Sequence, residues 1–151
     1  MNQFQSTEDI LNFAIGEEQA AVDFYLLLAG QSKNKQTRDI FNGFAEEEMR
    51  HKANLMKVKE AGSFQLSGST IRDLKITEYL VDVKPTPDMT YHDALILAMK
   101  KEKAAFRMYT ELAENAPDPQ TRGLFLGLAQ EEAKHKLRFE VEYDDHILKE
   151  N

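Results

Sequence analysis

The chain lacks several residue types and patterns, and each absence excludes a class of protein or site. Its 151 residues contain no cysteine, which excludes disulfide bonds, thiol chemistry, zinc fingers and iron–sulfur clusters held by this sequence. No apolar run approaches the roughly 20 residues that a membrane span needs. The polar, acidic stretch 1–9 lacks the basic and apolar segments of a signal peptide. We therefore expect a cytoplasmic protein with no membrane contact.

An excess of positive charge is also missing. Lys and Arg number 19 against 26 Asp and Glu, giving a formal net charge of −7, which is unfavourable for binding nucleic acid. The length suits one domain with a substantial apolar core and not two ordinary domains. We expect a single domain over residues 1–151 that does not bind nucleic acid.

What is present is an internal repeat. Residues 6–61 align without a gap to residues 90–145, and about 19 of the 56 positions are identical. Self-similarity at this level indicates a duplicated supersecondary unit. Each unit is predicted to be an antiparallel helix pair, with helices at 7–31 and 35–61, then at 91–115 and 119–148.

Residues that favour helix starts support these boundaries. Ser6 and Thr90 each precede an aspartate by three residues, a pattern similar to a capping box. Asn34 and Asp118 can cap the second helix of each pair, and Pro119 occupies a tolerated first position.

A long connection, residues 62–89, joins the two units. It contains two glycines, two prolines and an apolar patch, Ile76–Val83. Fully extended it could span ~90 Å, whereas a helix of this protein needs ~40 Å. The connection can therefore run the height of a bundle and make helices 2 and 3 parallel, as in one-crossover bundles. The sequence thus predicts an all-α four-helix bundle with one long crossover, built from two duplicated helix hairpins.

Acidic and imidazole side chains recur at equivalent positions of the two units. The second helix of each pair carries Glu-x-x-His, and the first carries a glutamate seven residues before a tyrosine. These six candidate ligands are Glu18, Glu48, His51, Glu102, Glu132 and His135.

The repeat and the helical period select these residues from their neighbours. Glu17 corresponds to Lys101, and Glu46 corresponds to Gln130, so neither has an acidic equivalent. Glu47 lies off the apolar stripe that the neighbouring Glu48 continues. A single Glu-x-x-His is common on solvated helices, but six such residues, symmetric across a duplication and on apolar stripes, favour a metal site.

The spacing supports binding of two metal ions. Residues at i and i+3 occupy one helix face, so each Glu-x-x-His can offer a carboxylate and an imidazole. Two such motifs plus a Glu from each remaining helix match the di-iron carboxylate arrangement of ferritin-like bundles. Mixed carboxylate and imidazole ligands suit iron or manganese, with zinc also possible.

Two further aromatic and two further imidazole positions have weaker interpretations. Tyr25 and Tyr109 can be hydrogen-bond donors behind the ligands with a part in catalysis, or ordinary core aromatics. His92 and His146 have no histidine at the equivalent repeat position, and we expect them on the surface.

The motifs resemble those of the rubrerythrin branch of the ferritin-like superfamily, over nearly the whole chain, residues 6–148. The similar segments are Glu18-Gln-Ala-Ala-Val-Asp-Phe-Tyr25, Glu48-Met-Arg-His51, Glu102-Lys-Ala-Ala-Phe-Arg-Met-Tyr109 and Glu132-Ala-Lys-His135. The resemblance implies a non-haem di-iron centre with Glu48 and Glu132 as bridging ligands, Glu18 and Glu102 as terminal ligands, and two histidine nitrogen ligands. It also implies reduction of hydrogen peroxide, a redox-protein electron donor, and a homodimer.

Two departures from the family pattern matter. The cysteine-rich rubredoxin-like domain is absent, so a separate, rubredoxin-like donor protein would be needed. The additional Glu one turn from the third-helix ligand is also absent, and the candidate positions hold Ala98, Met99, Ala105 and Phe106. The ligand set therefore looks equally like bacterioferritin, in which a Met similar to Met49 binds haem. Met at helical spacing usually packs, and haem is not expected.

Three functions follow as hypotheses. The first is an enzyme, a di-iron oxidoreductase acting on peroxide or dioxygen in protection from oxidative stress. The second is a ferroxidase and iron-storage protein using the same ligands. The third is a metal-free helical interaction module, assembled through the apolar patch Ile76–Val83.

Overall fold

The structure is a computed structural model that describes residues 3–81 and 83–150, the side chains of 147–150 excepted. Within those residues it is helical and contains no strand. The six helices of this described part are α1 (Thr7–Gln31), α2 (Lys35–Ala61), α3 (Gly68–Asp73), α4 (Ile76–Tyr79), α5 (Tyr91–Glu114) and α6 (Pro119–Glu150). No helix in the described part is long and apolar enough to cross a membrane.

The chain forms two compact units, Met1–Lys75 and Ile76–Asn151. Helices α1 and α2 pack together in the first unit, and α5 and α6 pack together in the second. We call these the first and second hairpins. The four predicted long helices agree with the observed ones to within two residues at each end, whereas the single domain over 1–151 stays a prediction.

The predicted capping residues begin the long helices. The Ser6 hydroxyl accepts a hydrogen bond from the Asp9 backbone N–H at 3.0 Å, and Thr90 does the same for Asp93 at 3.0 Å. The Asp9 carboxylate accepts from the N–H of Gln5, one residue before the cap. The reciprocal bond of a capping box is therefore displaced by one residue in the first hairpin.

Side-chain oxygens also begin α2 and α6. The Asn34 side chain accepts from the N–H of Gln36 at 2.8 Å, and Asp118 accepts from the N–H of Thr121 at 2.8 Å. Helix α2 ends at Gly62, whose φ of 69° is left-handed. Glycine tolerates this conformation at a helix end because it has no Cβ.

The connection between the hairpins contains the two short helices α3 and α4, which the sequence interpretation did not include. Its first part is fastened to the first unit, because the buried N–H of Leu66 donates to the Thr7 hydroxyl at 3.0 Å. In the second unit, the Tyr79 hydroxyl of α4 donates to the Glu111 carboxylate of α5. The first part of the connection is thus attached to α1 and its second part to α5, each by a side-chain hydrogen bond.

The apolar patch Ile76–Val83 divides into buried and exposed residues. Ile76 and Tyr79 are buried, whereas Leu80 and Val83 are about half exposed. Residue 82 of this patch lies outside the described residues. The patch therefore serves partly as core of its own unit.

Each hairpin buries the stripe that its sequence predicts. In the first hairpin the buried stripe is Leu11, Ala14, Glu18, Tyr25, Leu28, Phe41, Ala45, Glu48, His51 and Leu55. In the second it is Leu95, Ala98, Glu102, Tyr109, Leu112, Phe125, Ala129, Glu132, His135 and Phe139. Ala21 and Phe44, which lie at the helical spacing of the first stripe, are only partly buried. Both stripes place charged side chains among apolar ones.

Candidate metal centre

The first hairpin brings its three predicted ligands together. Glu18 lies on α1, and Glu48 and His51 lie one turn apart on α2. The His51 Nδ1 is 3.2 Å from Glu48 Oε1 and 3.6 Å from Glu18 Oε2. One ligand atom from each residue lies within 4.8 Å of the others. We call these residues the first triad.

The second hairpin builds the same arrangement from the equivalent residues. The His135 Nδ1 is 3.7 Å from Glu132 Oε1 and 3.7 Å from Glu102 Oε1. Again one ligand atom from each residue lies within 4.8 Å of the others. We call Glu102, Glu132 and His135 the second triad.

Burial separates the triads from their charged neighbours. Each of the six side chains is at most 2% exposed. Glu47, next in sequence to Glu48, is partly exposed and lies 4.0 Å from the Arg50 guanidinium. Glu17 and Glu131 are also partly exposed. The structure therefore places the selected glutamates, and not their neighbours, in the interior.

The apolar surroundings change the protonation of the first triad. Burial raises the pKa of Glu18 to about 8, and the nearby Glu48 carboxylate acts in the same direction. Burial lowers the pKa of His51, but hydrogen bonds to Glu18 and Glu48 outweigh it and raise the value to about 10. At neutral pH, without a cation, Glu18 and His51 therefore each hold a proton.

In the second triad, the pKa of Glu102 is raised as well. Burial raises the pKa of Glu102, and the hydrogen bond from His135 opposes that rise. A carboxylate in an apolar interior is costly unless it is protonated or faces a cation. Both triads thus offer sites where a cation could replace protons.

The donor set in each triad fits a transition-metal ion. Two carboxylates and one imidazole supply oxygen and nitrogen ligands of the kind that iron, manganese and zinc accept. The i, i+3 spacing on the second helix and the Glu on the first converge without any change in backbone. Each hairpin therefore presents a buried set of possible metal ligands.

The two predicted tyrosines are core residues beside the triads. Tyr25 lies two turns along α1 from Glu18 and packs its ring on Phe44, with centroids 6.3 Å apart. Tyr109 has the equivalent place after Glu102 and stacks on Phe125 at 6.3 Å. Both are almost fully buried, and their catalytic role stays a prediction.

Three other side chains singled out in the sequence lie away from the triad positions. His92 and His146 are partly buried at one end of the second hairpin, where they contact Tyr143 and Tyr91. They are therefore less exposed than expected. Met49 is about half exposed on α2 and does not fill the core.

The sequence interpretation missed a groove on the outer side of the second hairpin. It has a volume of about 530 Å³ and is lined by Lys103, Phe106, Ala133, Lys136, Leu137 and Glu140. We call it the α5–α6 groove. A signal existed in the repeat, because Leu137 is a large apolar residue where the first hairpin has Ala53.

Comparison with known proteins gives one family and two similar structures. The sequence profile of the family described as Rubrerythrin matches residues 9–143. A hypothetical protein from Pyrococcus furiosus is 26% identical, with a TM-score of 0.73, covering 91% of this chain and 87% of that one. A candidate ferritin-like diiron-carboxylate protein from Thermotoga maritima is 19% identical, with a TM-score of 0.75, covering 97% and 99%. No curated protein sequence gives a significant match.

The likeness to the Thermotoga maritima structure extends over nearly the whole of both chains. At 19% identity it bears on the fold alone. The predicted all-α, ferritin-like fold is therefore confirmed.

Proposed function

Because the chain belongs to the rubrerythrin family, we propose that it is a non-haem di-iron oxidoreductase that reduces hydrogen peroxide. In this proposal both triads contribute to one centre, and electrons come from a protein outside these 151 residues. The observation that carries the proposal is the presence of one buried Glu, Glu, His triad in each hairpin.

Charge supports a centre of two divalent ions. The two triads together hold four carboxylates, whose charge of −4 two divalent cations would balance. Breaking or emptying such a buried charge set is costly, because unpaired carboxylates repel and must take up protons. The protonation of Glu18 and His51 at neutral pH is the state expected of a site built for cations.

Fold and symmetry support joining the triads. Ferritin-like di-metal proteins take a Glu from each of two helices and a Glu-x-x-His from each of the other two. This chain has that set across its duplication, and the similar structure from Thermotoga maritima is described as a candidate diiron-carboxylate protein. We propose Glu48 and Glu132 as bridging ligands, and Glu18, Glu102, His51 and His135 as the remaining ligands.

Iron is the metal that gives the site a redox function. A pair of ferrous ions held by these ligands would supply the two electrons that convert hydrogen peroxide and two protons to two waters. The protein's own part is to hold the ligands in fixed rotamers within an apolar interior, which excludes bulk water. We propose that the hydroxyls of Tyr25 and Tyr109 donate hydrogen bonds near the ligands and orient them.

Oxidation of ferrous iron by dioxygen is the second candidate. It is favoured by the residues beside the ligand on α5, where Ala98 and Ala105 stand and no further carboxylate follows within a turn of Glu102. Such a ferroxidase would use the same six ligands. The two candidates differ in which oxidant reacts faster.

The test begins with metal content and ends with rapid kinetics. We expect two equivalents of iron per chain after anaerobic loading, and oxidation by hydrogen peroxide faster than by dioxygen in stopped-flow absorbance. Glu47→Gln is the matched control, because it alters a partly exposed carboxylate beside Glu48. Oxidation no faster with peroxide would overturn the peroxidase and support the ferroxidase. Absence of bound metal would overturn both and leave the helical interaction module.

A further inference from the structure

The first hairpin has a cavity at the end where α1 begins and α2 ends. It has a volume of about 380 Å³, and the start of the connection, residues 62–65, supplies part of its wall. We call it the α1–α2 end cavity. All of its lining residues belong to the first unit. Pockets that bind small molecules begin at roughly 300 Å³, so this cavity can hold a ligand with one ring.

The equivalent end of the second hairpin is filled by aromatic side chains. The rings of His92 and Tyr143 lie 4.9 Å apart, and those of Tyr91 and His146 lie 5.3 Å apart. The Tyr91 hydroxyl also donates to the Glu142 carboxylate at 2.9 Å. These contacts join the first turn of α5 to the last part of α6. Aromatic rings therefore pack between the two helices at this end of the second hairpin.

The first hairpin has charged side chains in place of one of these ring pairs. Glu8 stands where the second hairpin has His92, and Lys59 stands where it has Tyr143. The Lys59 ammonium and the Glu8 carboxylate lie 3.8 Å apart, and both side chains are exposed. Phe64 of the connection is buried in one wall and leaves the space open. A ring supplied by a ligand would complete the packing that the second hairpin makes with its own side chains.

The walls of the cavity suit an aromatic ring. Leu11 and Phe64 are buried, and Ile15 and Val58 are partly buried. Met56 lines the same cavity and is 44% exposed. A thioether is polarisable, adapts its shape and makes favourable contacts with aromatic rings. These five apolar side chains therefore form a binding surface for a flat apolar group.

The polar groups of the cavity favour a positively charged ligand. Two carboxylates, those of Glu8 and Glu60, line it together with one ammonium, that of Lys59. The C-terminal end of α2 adds a partial negative charge through its last carbonyl groups, and Gly62 of that end lines the cavity. Lys59 balances one carboxylate, so the remaining negative charge is available to a cation.

We propose that the α1–α2 end cavity binds a small molecule with one aromatic ring and an ammonium group on a short alkyl chain. The ring lies among Leu11, Met56 and Phe64, and the ammonium lies at the mouth beside Glu60 and the end of α2. Leu11 precedes Glu18 by seven residues on α1, ~10 Å along the helix axis, so the ligand leaves the first triad in place. The proposal does not depend on metal binding.

Isothermal titration calorimetry of the full chain with 2-phenylethylammonium tests the ligand class. We expect a dissociation constant of about 0.1–1 mM, which is usual for a ligand of this size. The probe 3-phenylpropionate has the same ring and the opposite charge, and it should bind at least about 10-fold more weakly. Glu60→Lys should weaken binding of the cation about 10-fold and strengthen binding of the anion, because the charge of the lining becomes positive.

A ring-adding variant tests the location. Glu8→His with Lys59→Tyr gives the first hairpin the ring pair of the second, which should fill the cavity and weaken binding of 2-phenylethylammonium at least about 10-fold. Glu8→Gln with Lys59→Gln is the matched control, because it removes the same two charges and adds no ring. The control should stay within about 3-fold of the wild type, since an exposed ion pair contributes little. Thermal unfolding confirms that both variants fold.

Several results would overturn the proposal. They are no measurable binding of 2-phenylethylammonium, equal affinity for the cation and the anion, and binding that the ring-adding variant leaves unchanged. Glu60→Lys changes an exposed side chain and remains decisive even where the ring-adding variant folds poorly, because unchanged affinity for the cation would contradict the proposed position of the ammonium. Iron content measured on the same samples reports separately on the di-iron proposal.

Discussion

The two hairpins carry equivalent residues on their buried faces and different residues on their exposed faces. Inside, each holds a Glu, Glu, His triad with Nδ1-to-carboxylate distances between 3.2 and 3.7 Å. Outside, the Gln19–Lys52 hydrogen bond closes the first hairpin, whereas the second has the α5–α6 groove. The two halves of the repeat therefore have the same buried residue types at the triads and different residues on the exposed faces.

This difference separates two kinds of constraint within one duplicated sequence. In the proposed centre, ligands for two similar cations would have to match in type and spacing, and the inner residues of the two hairpins do match. An outer face has no such requirement, and one copy can gain a surface that the other lacks. Unequal metal binding by the two triads would contradict this comparison, and exchanging the outer residues tests it further.

The largest expected effect comes from removing the proposed bridging ligands. Glu48→Ala and Glu132→Ala should each lower the metal content from two equivalents per chain to about one or less, because each bridging carboxylate would serve both ions. The losses should be equal if the hairpins are equivalent. Metal analysis of the purified variants measures this, with Glu47→Ala as the exposed control. A variant that keeps both ions would contradict the proposed bridging role of that residue, and unequal losses would contradict the equivalence of the hairpins.

The second effect is a pH dependence of the metal-free protein. The pKa of Glu18 is raised from 4.5 to about 8, so between these pH values Glu18 keeps a proton in the folded state that the unfolded chain releases. The pKa of His51 is raised from 6.5 to about 10, so His51 also keeps a proton that the unfolded chain releases, over a higher pH range. The free energy of unfolding is therefore highest at pH values below the unfolded-state pKa values. It falls as pH rises, by several kcal/mol between about pH 5 and about pH 9.

Thermal melts of the metal-free protein across that range measure the dependence. Glu18→Gln should flatten the part between pH 4.5 and about 8, because the amide has no proton to lose. Metal affinity should change in the opposite direction and rise with pH, since binding displaces the protons. A melting temperature of the metal-free wild type that rises over this range would contradict the buried, protonated triad.

Much of this architecture can be predicted from the sequence, because it depends on local signals. Side-chain caps such as Asn34 and Asp118 fix helix starts through bonds two or three residues away. The choice of Glu48 over Glu47 follows from helical period alone and agrees with their burial. The repeat strengthens each inference, since every feature is read twice.

What the sequence could not give depends on contacts between distant residues. Helix α4 has only four residues, too few for a periodic pattern, and Tyr79 is held by a carboxylate 32 positions away. The protonation of Glu18 and His51 likewise depends on burial that no local pattern reports. The groove depends likewise on the packing of α5 against α6 and on the pairing of Lys136 with Glu140.

The attachments of the connection offer a smaller contrast between the units. Thr7→Val should destabilise the protein by about 1–3 kcal/mol, because the buried N–H of Leu66 loses its acceptor. Tyr79→Phe should cost less, about 1 kcal/mol, because Glu111 keeps the Arg107 guanidinium at 3.2 Å and is reached by water. Urea unfolding at equal metal content compares them. A larger loss in Tyr79→Phe would show that α4 is the stronger attachment.

The smallest effect comes from exchanging the outer residues themselves. Lys103→Gln gives the second hairpin the pair that closes the first, because the introduced amide oxygen can accept from Lys136 as Gln19 accepts from Lys52. The free energy of unfolding should change by no more than about 0.5 kcal/mol, as exposed polar contacts contribute little. Urea unfolding of the wild type and of the variant measures this change. Gln19→Lys is the reciprocal exchange, which removes the acceptor of the Lys52 hydrogen bond and should lower the free energy of unfolding by a similarly small amount. If Gln19→Lys leaves the free energy of unfolding unchanged, the Gln19–Lys52 hydrogen bond does not stabilise the first hairpin.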